Sequence, residues 1–254
     1  MKIAVITGAS SGIGREFVRK IDAAFELDEI WVIARRRERL EELAAAGDIR
    51  AAVKPLPLDL SDRNAAEIYA AKLKEENPAV EILVNAAGYG QFRAFTELPA
   101  ESQLGMIDLN CRALTAMTYA TLPYMPSGGK IFEMSSISAF QPVPYIDVYS
   151  ASKAYVLSFS RALNVELKNR GIRVMAVCPF WTKTEFFDRA VCDDTVTYFA
   201  RYTTACEVVT RALRDMEKGK DVSVCGARNR LQVLACKLLP HRLVMKVWCK
   251  QQKK

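Results

Sequence analysis

The sequence predicts an α/β domain built on a doubly wound parallel sheet, and three observations carry that expectation. Short apolar runs alternate with helix-period segments along the chain. The first apolar run ends in a glycine-rich turn that opens a helix. Hydrophobic residues make up 50% of the 254, enough to fill a sizeable single core and too many for a disordered chain. The strand-like runs lie at residues 3–6, 30–34, 51–56, 82–85, 130–134, 172–178 and 222–225. Helical patterns lie between them, at 15–25, 37–46, 64–76, 102–123, 148–169 and 207–218. Such alternation needs crossover connections, which put helices on both faces of a parallel sheet. No internal repeat, low-complexity stretch or linker stands out, so one domain is expected.

The first strand leads into Thr7-Gly8-Ala9-Ser10-Ser11-Gly12-Ile13-Gly14. Gly8 suits a tight turn, Gly12 lets a backbone approach a pyrophosphate, and Gly14 lets the helix pack closely on the strand. Ser10, Ser11 and Ile13 complete a loop whose free N–H groups would face phosphates at the helix start. The spacing is G-x-x-x-G-x-G and not the commoner G-x-G-x-x-G. After the second strand comes Ala34-Arg35-Arg36-Arg37. An acid at this place would bind a ribose 2′-hydroxyl and repel a 2′-phosphate, whereas arginine pairs with the phosphate. Arg35 and Arg36 therefore favour NADP(H), with NAD(H) as the alternative.

Further along, Tyr149 and Lys153 lie four residues apart in a helical pattern, on one face. A phenol is a poor proton-transfer group near neutrality, since its reference pKa is about 10. A neighbouring cation would stabilise the phenolate and lower that value. The pair therefore suits proton exchange with a carbonyl or alcohol oxygen. The serine pair Ser135-Ser136 lies just upstream, after the strand at 130–134.

Taken together, Thr7-Gly8-x-x-x-Gly12-x-Gly14, Asn85-Ala86-Ala87-Gly88 and Tyr149-x-x-x-Lys153 resemble the short-chain dehydrogenase/reductase family, in order and in separation. The resemblance runs from Lys2 to about Thr184 and more loosely to Gly226. It implies a Rossmann fold, with a dinucleotide bound beyond the carboxyl ends of the strands. The domain would span residues 1–226, with 227–254 as a basic, apolar extension of it. By resemblance, Asp59 and Leu60 at the end of the third strand meet the adenine. Asp59 reads equally as the acid opening a helix near Ser61. Asn85, Ala86, Ala87 and Gly88 are expected at the adenine-side ribose, where small residues let the backbone approach, and Asn85 could also tie neighbouring strands together; Ala86 replaces the family's second asparagine. Ser136, thirteen residues before Tyr149, matches the serine that bonds the substrate oxygen, and Ser135 fits a structural role. Asn110, on the helix expected at 102–123, completes a tetrad with Ser136, Tyr149 and Lys153 by ordering a proton-relay water. Lys153 would also hold the nicotinamide ribose.

The family usually reads Pro-Gly after the sixth strand, with a threonine a few residues on. Here the run is Pro179-Phe180-Trp181-Thr182-Lys183-Thr184. Pro179, Thr182 and Thr184 would meet the nicotinamide side. Phe180 and Trp181, with Phe186 and Phe187, make the expected lid aromatic, which suits an apolar ketone such as a steroid, an acyl chain or an aromatic ketone. Simple packing beneath the lid is the competing reading of the same residues.

Composition narrows the class. Seven cysteines lie scattered without a C-x-x-C pair, which reads as buried free thiols in a reducing cytoplasm. A single histidine makes a metal site improbable. The chain starts on its first strand and not on a signal peptide, and no apolar run reaches membrane-span length. Residues 222–254 hold eight Lys/Arg and no acid, so the +7 net charge becomes −1 upstream of them. A segment both basic and apolar suits either contact with an anionic membrane or packing near the substrate cleft and a partner subunit. His241 after Pro240 reads as a turn residue. Nucleic-acid binding has nothing beyond charge to support it. The resemblance implies a homodimer or homotetramer. A cofactor-sensing or membrane-associated binding protein on the same fold is the alternative to an enzyme, and the complete tetrad argues for the enzyme.

Overall fold

The computed structural model describes residues 1–197 and 202–254. Strands and helices alternate as β1 (Lys2–Thr7), α1 (Gly12–Ala24), β2 (Glu29–Ala34), α2 (Arg37–Ala45), β3 (Ala52–Pro57), α3 (Ala65–Glu76) and β4 (Ala79–Asn85). They continue with α4 (Ala100–Ile107), a π-helical segment (Asp108–Ala113), α5 (Leu114–Thr121), β5 (Lys130–Met134), α6 (Asp147–Glu166) and β6 (Arg173–Val177). The chain closes with α7 (Phe186–Ala190), α8 (Ala205–Glu217), β7 (Val222–Ser223), α9 (Ala227–Leu238) and α10 (His241–Gln251). The seven strands form one sheet in the order β3-β2-β1-β4-β5-β6-β7, and each neighbouring pair is parallel.

The period of two along each strand divides the core in two. Ala4, Ile6, Ile30, Val32 and Phe132 point to the layer holding Phe17 and Ile21 of α1, Leu40 of α2 and Val209 of α8. Ile3, Val5, Trp31, Ile33 and Ile131 point to the opposite layer, with Tyr69 and Leu73 of α3 and Met117 of α5. Connections leave β1 for β2 on one side and reach β4 on the other, so strand order reverses between β1 and β4. The reversal opens a crevice at the carboxyl ends there.

The sheet margins are short or proline-bearing. The Ala52 amide donates to Asp28 O at 3.1 Å, toward β2. Amides alternate along a strand, so Pro55 and Pro57 of β3 occupy positions that face away from β2. At the other margin β7 has only two residues.

Three features differ from the sequence reading. The helix expected over 102–123 is interrupted by the π-helical turn, because Asn110 is tied sideways to Tyr89 and Ser152 and not to its own helix. His241 is the first residue of α10 and not part of a turn: Pro240, with φ −57, caps the helix that follows. The cysteines are all free, but only Cys178 and Cys236 are buried; Cys192 and Cys206 are exposed, lying outside the apolar stripes of their segments.

Candidate active site

A cavity of about 1070 Å³ opens over the carboxyl ends of the strands at the reversal point. One end is the turn after β1. Gly8 has φ +66, and a Cβ there would lie 2.8 Å from Ala86 and Ala87 backbone. No larger residue could occupy that crossing. Helix α1 starts without a side-chain cap from Ser11 and without an acid in its first turn. Its first N–H groups therefore face the cavity with their partial positive charge. An anionic pyrophosphate fits that end, and the residues present suit a dinucleotide.

At the far side of the loop three arginines cluster. The Arg36 guanidinium donates to Ser10 Oγ at 3.0 Å and to Glu185 Oε2 at 2.8 Å. Arg39 donates to Glu185 Oε1 at 3.2 Å. Arg35 lies 3.8 Å from Asp59. Asp59 itself accepts from the Ser61 amide at 3.0 Å and the Ser61 hydroxyl at 2.6 Å, so it closes the turn after β3 while still lining the cavity.

The reacting end is built by β5 and α6. Helix α6 buries Tyr149 and Lys153 on one face. Ser136 follows β5 and sets its hydroxyl beside the Tyr149 phenol, which it pulls down, while that hydroxyl accepts from the Ser138 amide at 3.2 Å. Ser135 donates to Lys153 O at 2.8 Å and its amide to Val177 O at 2.8 Å, a bracing role at the cavity wall. Lys153 Nζ donates to Met134 O at 2.8 Å and lies 5.7 Å from the centre of the Tyr149 ring. Burial pushes the phenol up to about 12, with the Ser136 bond opposing it. Burial pulls the Lys153 ammonium down to about 8. Burial dominates the phenol in this geometry, and one Lys153 donor is spent on a backbone carbonyl while the ammonium stays beside the Tyr149 ring.

Every candidate cofactor, substrate and catalytic residue borders this cavity except two. Gly8, Ser10, Ser11, Gly12, Ile13, Gly14, Arg35, Arg36, Asp59, Leu60, Ala86, Ala87 and Gly88 line the nucleotide half. Ser136, Tyr149, Lys153, Pro179, Phe180, Trp181, Thr182 and Thr184 line the other. Asn85 does not reach it. Its amide donates to Thr118 Oγ1 at 2.9 Å and Glu133 Oε1 at 3.2 Å, tying β4 to β5 and α5; of its two expected roles the strand tie is the one this geometry shows, and a direct cofactor contact is not. Asn110 also lies behind the wall. Its Nδ2 donates to Tyr89 O at 2.9 Å and Ser152 Oγ at 3.0 Å, and its Oδ1 accepts from the Tyr89 amide at 3.1 Å. A Cβ on Gly88 would lie 2.8 Å from Asn110 Oδ1 and 3.3 Å from Lys153 Nζ, so Asn110 and Lys153 meet across Gly88.

The lid aromatics both pack on one another and face the cavity. Trp181 lies 5.9 Å from Phe92, 5.7 Å from Phe187 and 6.5 Å from Trp248, between ring centres. Sequence reasoning did not find Glu185, Arg39, Tyr89, Arg189 or Trp248. The Arg189 guanidinium stacks 3.6 Å from the Tyr89 ring centre at the cavity rim. Trp248 Nε1 donates to Pro144 O at 3.0 Å, which brings α10 to the substrate side. The contacts of Glu185 and Trp248 join positions more than 100 residues apart, and no local pattern signals them.

A doubly wound sheet, an uncapped helix start at its reversal point and a buried Ser–Tyr–Lys group on one cavity define a dinucleotide-dependent enzyme class. The chain belongs to the short-chain dehydrogenase/reductase family: the model for short chain dehydrogenase matches residues 2–194. Members are oxidoreductases of alcohol and carbonyl groups, and a nicotinamide cofactor goes with that membership. The chain is 37% identical over 193 residues to sulfoacetaldehyde reductase 2 of Chromohalobacter salexigens, covering 72% of this chain and 74% of that one. A short-chain dehydrogenase from Sphingobium yanoikuyae, solved with NADPH, matches with TM-score 0.80 and 30% identity over 92% of each chain. A bulky-bulky ketone specific alcohol dehydrogenase from Comamonas testosteroni matches with TM-score 0.76 and 26% identity, covering 94% of this chain and 92% of that one.

Proposed function

We propose that this protein is an NADP(H)-dependent oxidoreductase that interconverts an apolar ketone and its secondary alcohol. The observation that carries the reading is the approach of Tyr149, Ser136 and Lys153 to one cavity whose other end presents arginines and an uncapped helix. The nicotinamide supplies or accepts the hydride. In reduction Tyr149 gives its proton to the substrate oxygen as negative charge develops there, and the Ser136 hydroxyl donates to the same oxygen. A phenol held near 12 keeps its proton at neutral pH, and the transfer depends on the strongly basic alkoxide that develops on the substrate. Lys153, fixed by Met134 O, would hold the ribose of a bound nicotinamide nucleotide with its charge, and Asn110 fixes the loop at Tyr89 beside it. Arg35 and Arg36 support the 2′-phosphorylated cofactor, as does the NADPH bound to the Sphingobium protein.

The aromatic wall of Phe180, Trp181 and Trp248 supports a large apolar substrate, and the bulky-ketone specificity of the Comamonas enzyme agrees with it. Loss of NADPH absorbance with a panel of ketones tests the reading. Bulky aromatic or steroidal ketones are expected to turn over faster than small polar ones, and Tyr149→Phe to abolish the signal. Equal rates with the variant would remove Tyr149 as the acid; faster small polar ketones would remove the apolar-substrate reading.

The remaining surfaces bear on partners. Leu104, Ile107, Tyr119 and Tyr155 are exposed on α4 to α6, an apolar face that supports a homo-oligomer, testable by light scattering. Helices α9 and α10 expose Leu231, Leu234, Leu238 and Val247 among basic residues. Peripheral membrane contact there would show as sedimentation with anionic and not neutral vesicles. No helix among the described residues is long and apolar enough to cross a membrane.

A further inference from the structure

We infer that Glu185 is a specificity-determining residue that competes with the cofactor 2′-phosphate for Arg36 and Arg39. The inference rests on the NADP(H) reading above and concerns a residue that no motif marks. Glu185 follows Thr184 in the segment between β6 and α7, far in sequence from the arginines but across the cavity from them. Its two carboxylate oxygens are divided between two guanidinium groups, Oε2 with Arg36 at 2.8 Å and Oε1 with Arg39 at 3.2 Å. A second Arg36 donor, on Nη2, bonds Ser10 Oγ at 3.0 Å. Both guanidinium groups that would pair with a 2′-phosphate are thus already paired with an anion of the protein itself.

A second contact brings the same segment onto the glycine turn. A Cβ on Gly12 would lie 3.1 Å from Thr184 Cγ2 and 3.2 Å from Thr184 Cβ, so Thr184 and Glu185 together span the nucleotide groove. A phosphate dianion and a carboxylate on one pair of arginines repel each other, and the dianion is the stronger partner for guanidinium. Binding of a 2′-phosphorylated nucleotide therefore displaces Glu185 and frees the segment that covers the turn. A nucleotide without the 2′-phosphate leaves Glu185 in place, its charge still balanced by the arginines. Glu185 thereby narrows the preference for NADP(H) over NAD(H), and neutralising it widens that preference.

Calorimetric titration with 2′,5′-ADP and with 5′-ADP tests this without any substrate. The pairs are about half exposed, and exposed ion pairs contribute up to about 1 kcal/mol, so Glu185→Gln is expected to tighten 2′,5′-ADP about fivefold. The same variant should leave 5′-ADP within about twofold of the parent, since its phosphates lie at the helix start. In an Arg36→Met, Arg39→Met background the gain should vanish. Unchanged or weaker 2′,5′-ADP binding in Glu185→Gln overturns the inference while leaving the cofactor reading intact; weakening of both nucleotides would make Glu185 a clamp and not a competitor. If the parent protein itself prefers 5′-ADP, the NADP(H) reading falls, and the inference with it.

Discussion

Glu133 is a fully buried carboxylate at the end of β5, and its replacement by glutamine should stabilise the protein in a pH-dependent way. Its Oε1 accepts from Thr118 at 2.8 Å and Asn85 at 3.2 Å. Oε2, like Asn85 Oδ1, has no hydrogen-bond partner among the described residues. Desolvation pushes the carboxyl from the ordinary 4.5 up to about 7, against the two hydrogen bonds and the Lys153 charge. Between these values the folded protein holds a proton that the unfolded chain has released. Stability from this group is therefore full below about pH 4.5 and is lost as pH rises through 7. The shift corresponds to about 3 kcal/mol. Glutamine removes the charge and supplies an amide donor among unpaired acceptors. Urea unfolding should show Glu133→Gln more stable by about 3 kcal/mol at pH 8 and by no more than about 1 kcal/mol at pH 5. A gain independent of pH, or a loss at pH 8, would refute the reasoning that a buried charge is the cause.

Other outcomes follow from the same geometry. Ketone reduction should decline above about pH 8 as Lys153, lowered to about 8 by burial, loses its proton; a rate–pH profile flat to pH 10 would exclude a charged Lys153 from the rate-determining state. Ser136→Ala should cut kcat roughly a hundredfold, as loss of one oxygen-stabilising donor does, with steady-state kinetics as the check. Asn110→Ala leaves both Tyr89 backbone groups unpaired and should cost about 2 kcal/mol in urea unfolding, since buried groups without partners are penalised by that order. Trp248→Ala removes a ring from the cavity wall and the bond to Pro144 O; about 3 kcal/mol of stability should go with it, together with a raised KM for bulky ketones.

The fold was legible because both signals it rests on are local. Apolar runs such as Ile3 to Ile6 are too short and too uniform for an amphipathic helix, and the glycine turn after Thr7 leaves only one way to leave the strand. The candidate site was legible where a spacing corresponds to a face, as with Tyr149 and Lys153 on α6. It was not legible where desolvation decides. Nothing in Tyr149-x-x-x-Lys153 tells that the ammonium will bond Met134 O or that burial will raise the phenol. The π-helical turn at Asn110 was hidden because a single residue of excess barely disturbs the apolar period of the surrounding helix. Asn85 was legible as a tie between strands, while its neighbours Ala86 to Gly88 face the cavity: strand alternation turns Asn85 toward Glu133. Glu185 and Trp248 are matters of long-range geometry, which periodicity does not encode.

The prolines at the margin of the sheet have a bearing on how copies of this chain can meet. A β-sheet recruits another strand by offering alternate donors and acceptors along a bare edge, and aggregation uses the same ladder. Here the outward row of β3 has lost its donors at Pro55 and Pro57, and the opposite margin is two residues long. The β3 margin therefore offers a visiting strand only part of a ladder, and Pro55→Val with Pro57→Val would restore the donors that the natural sequence withholds there.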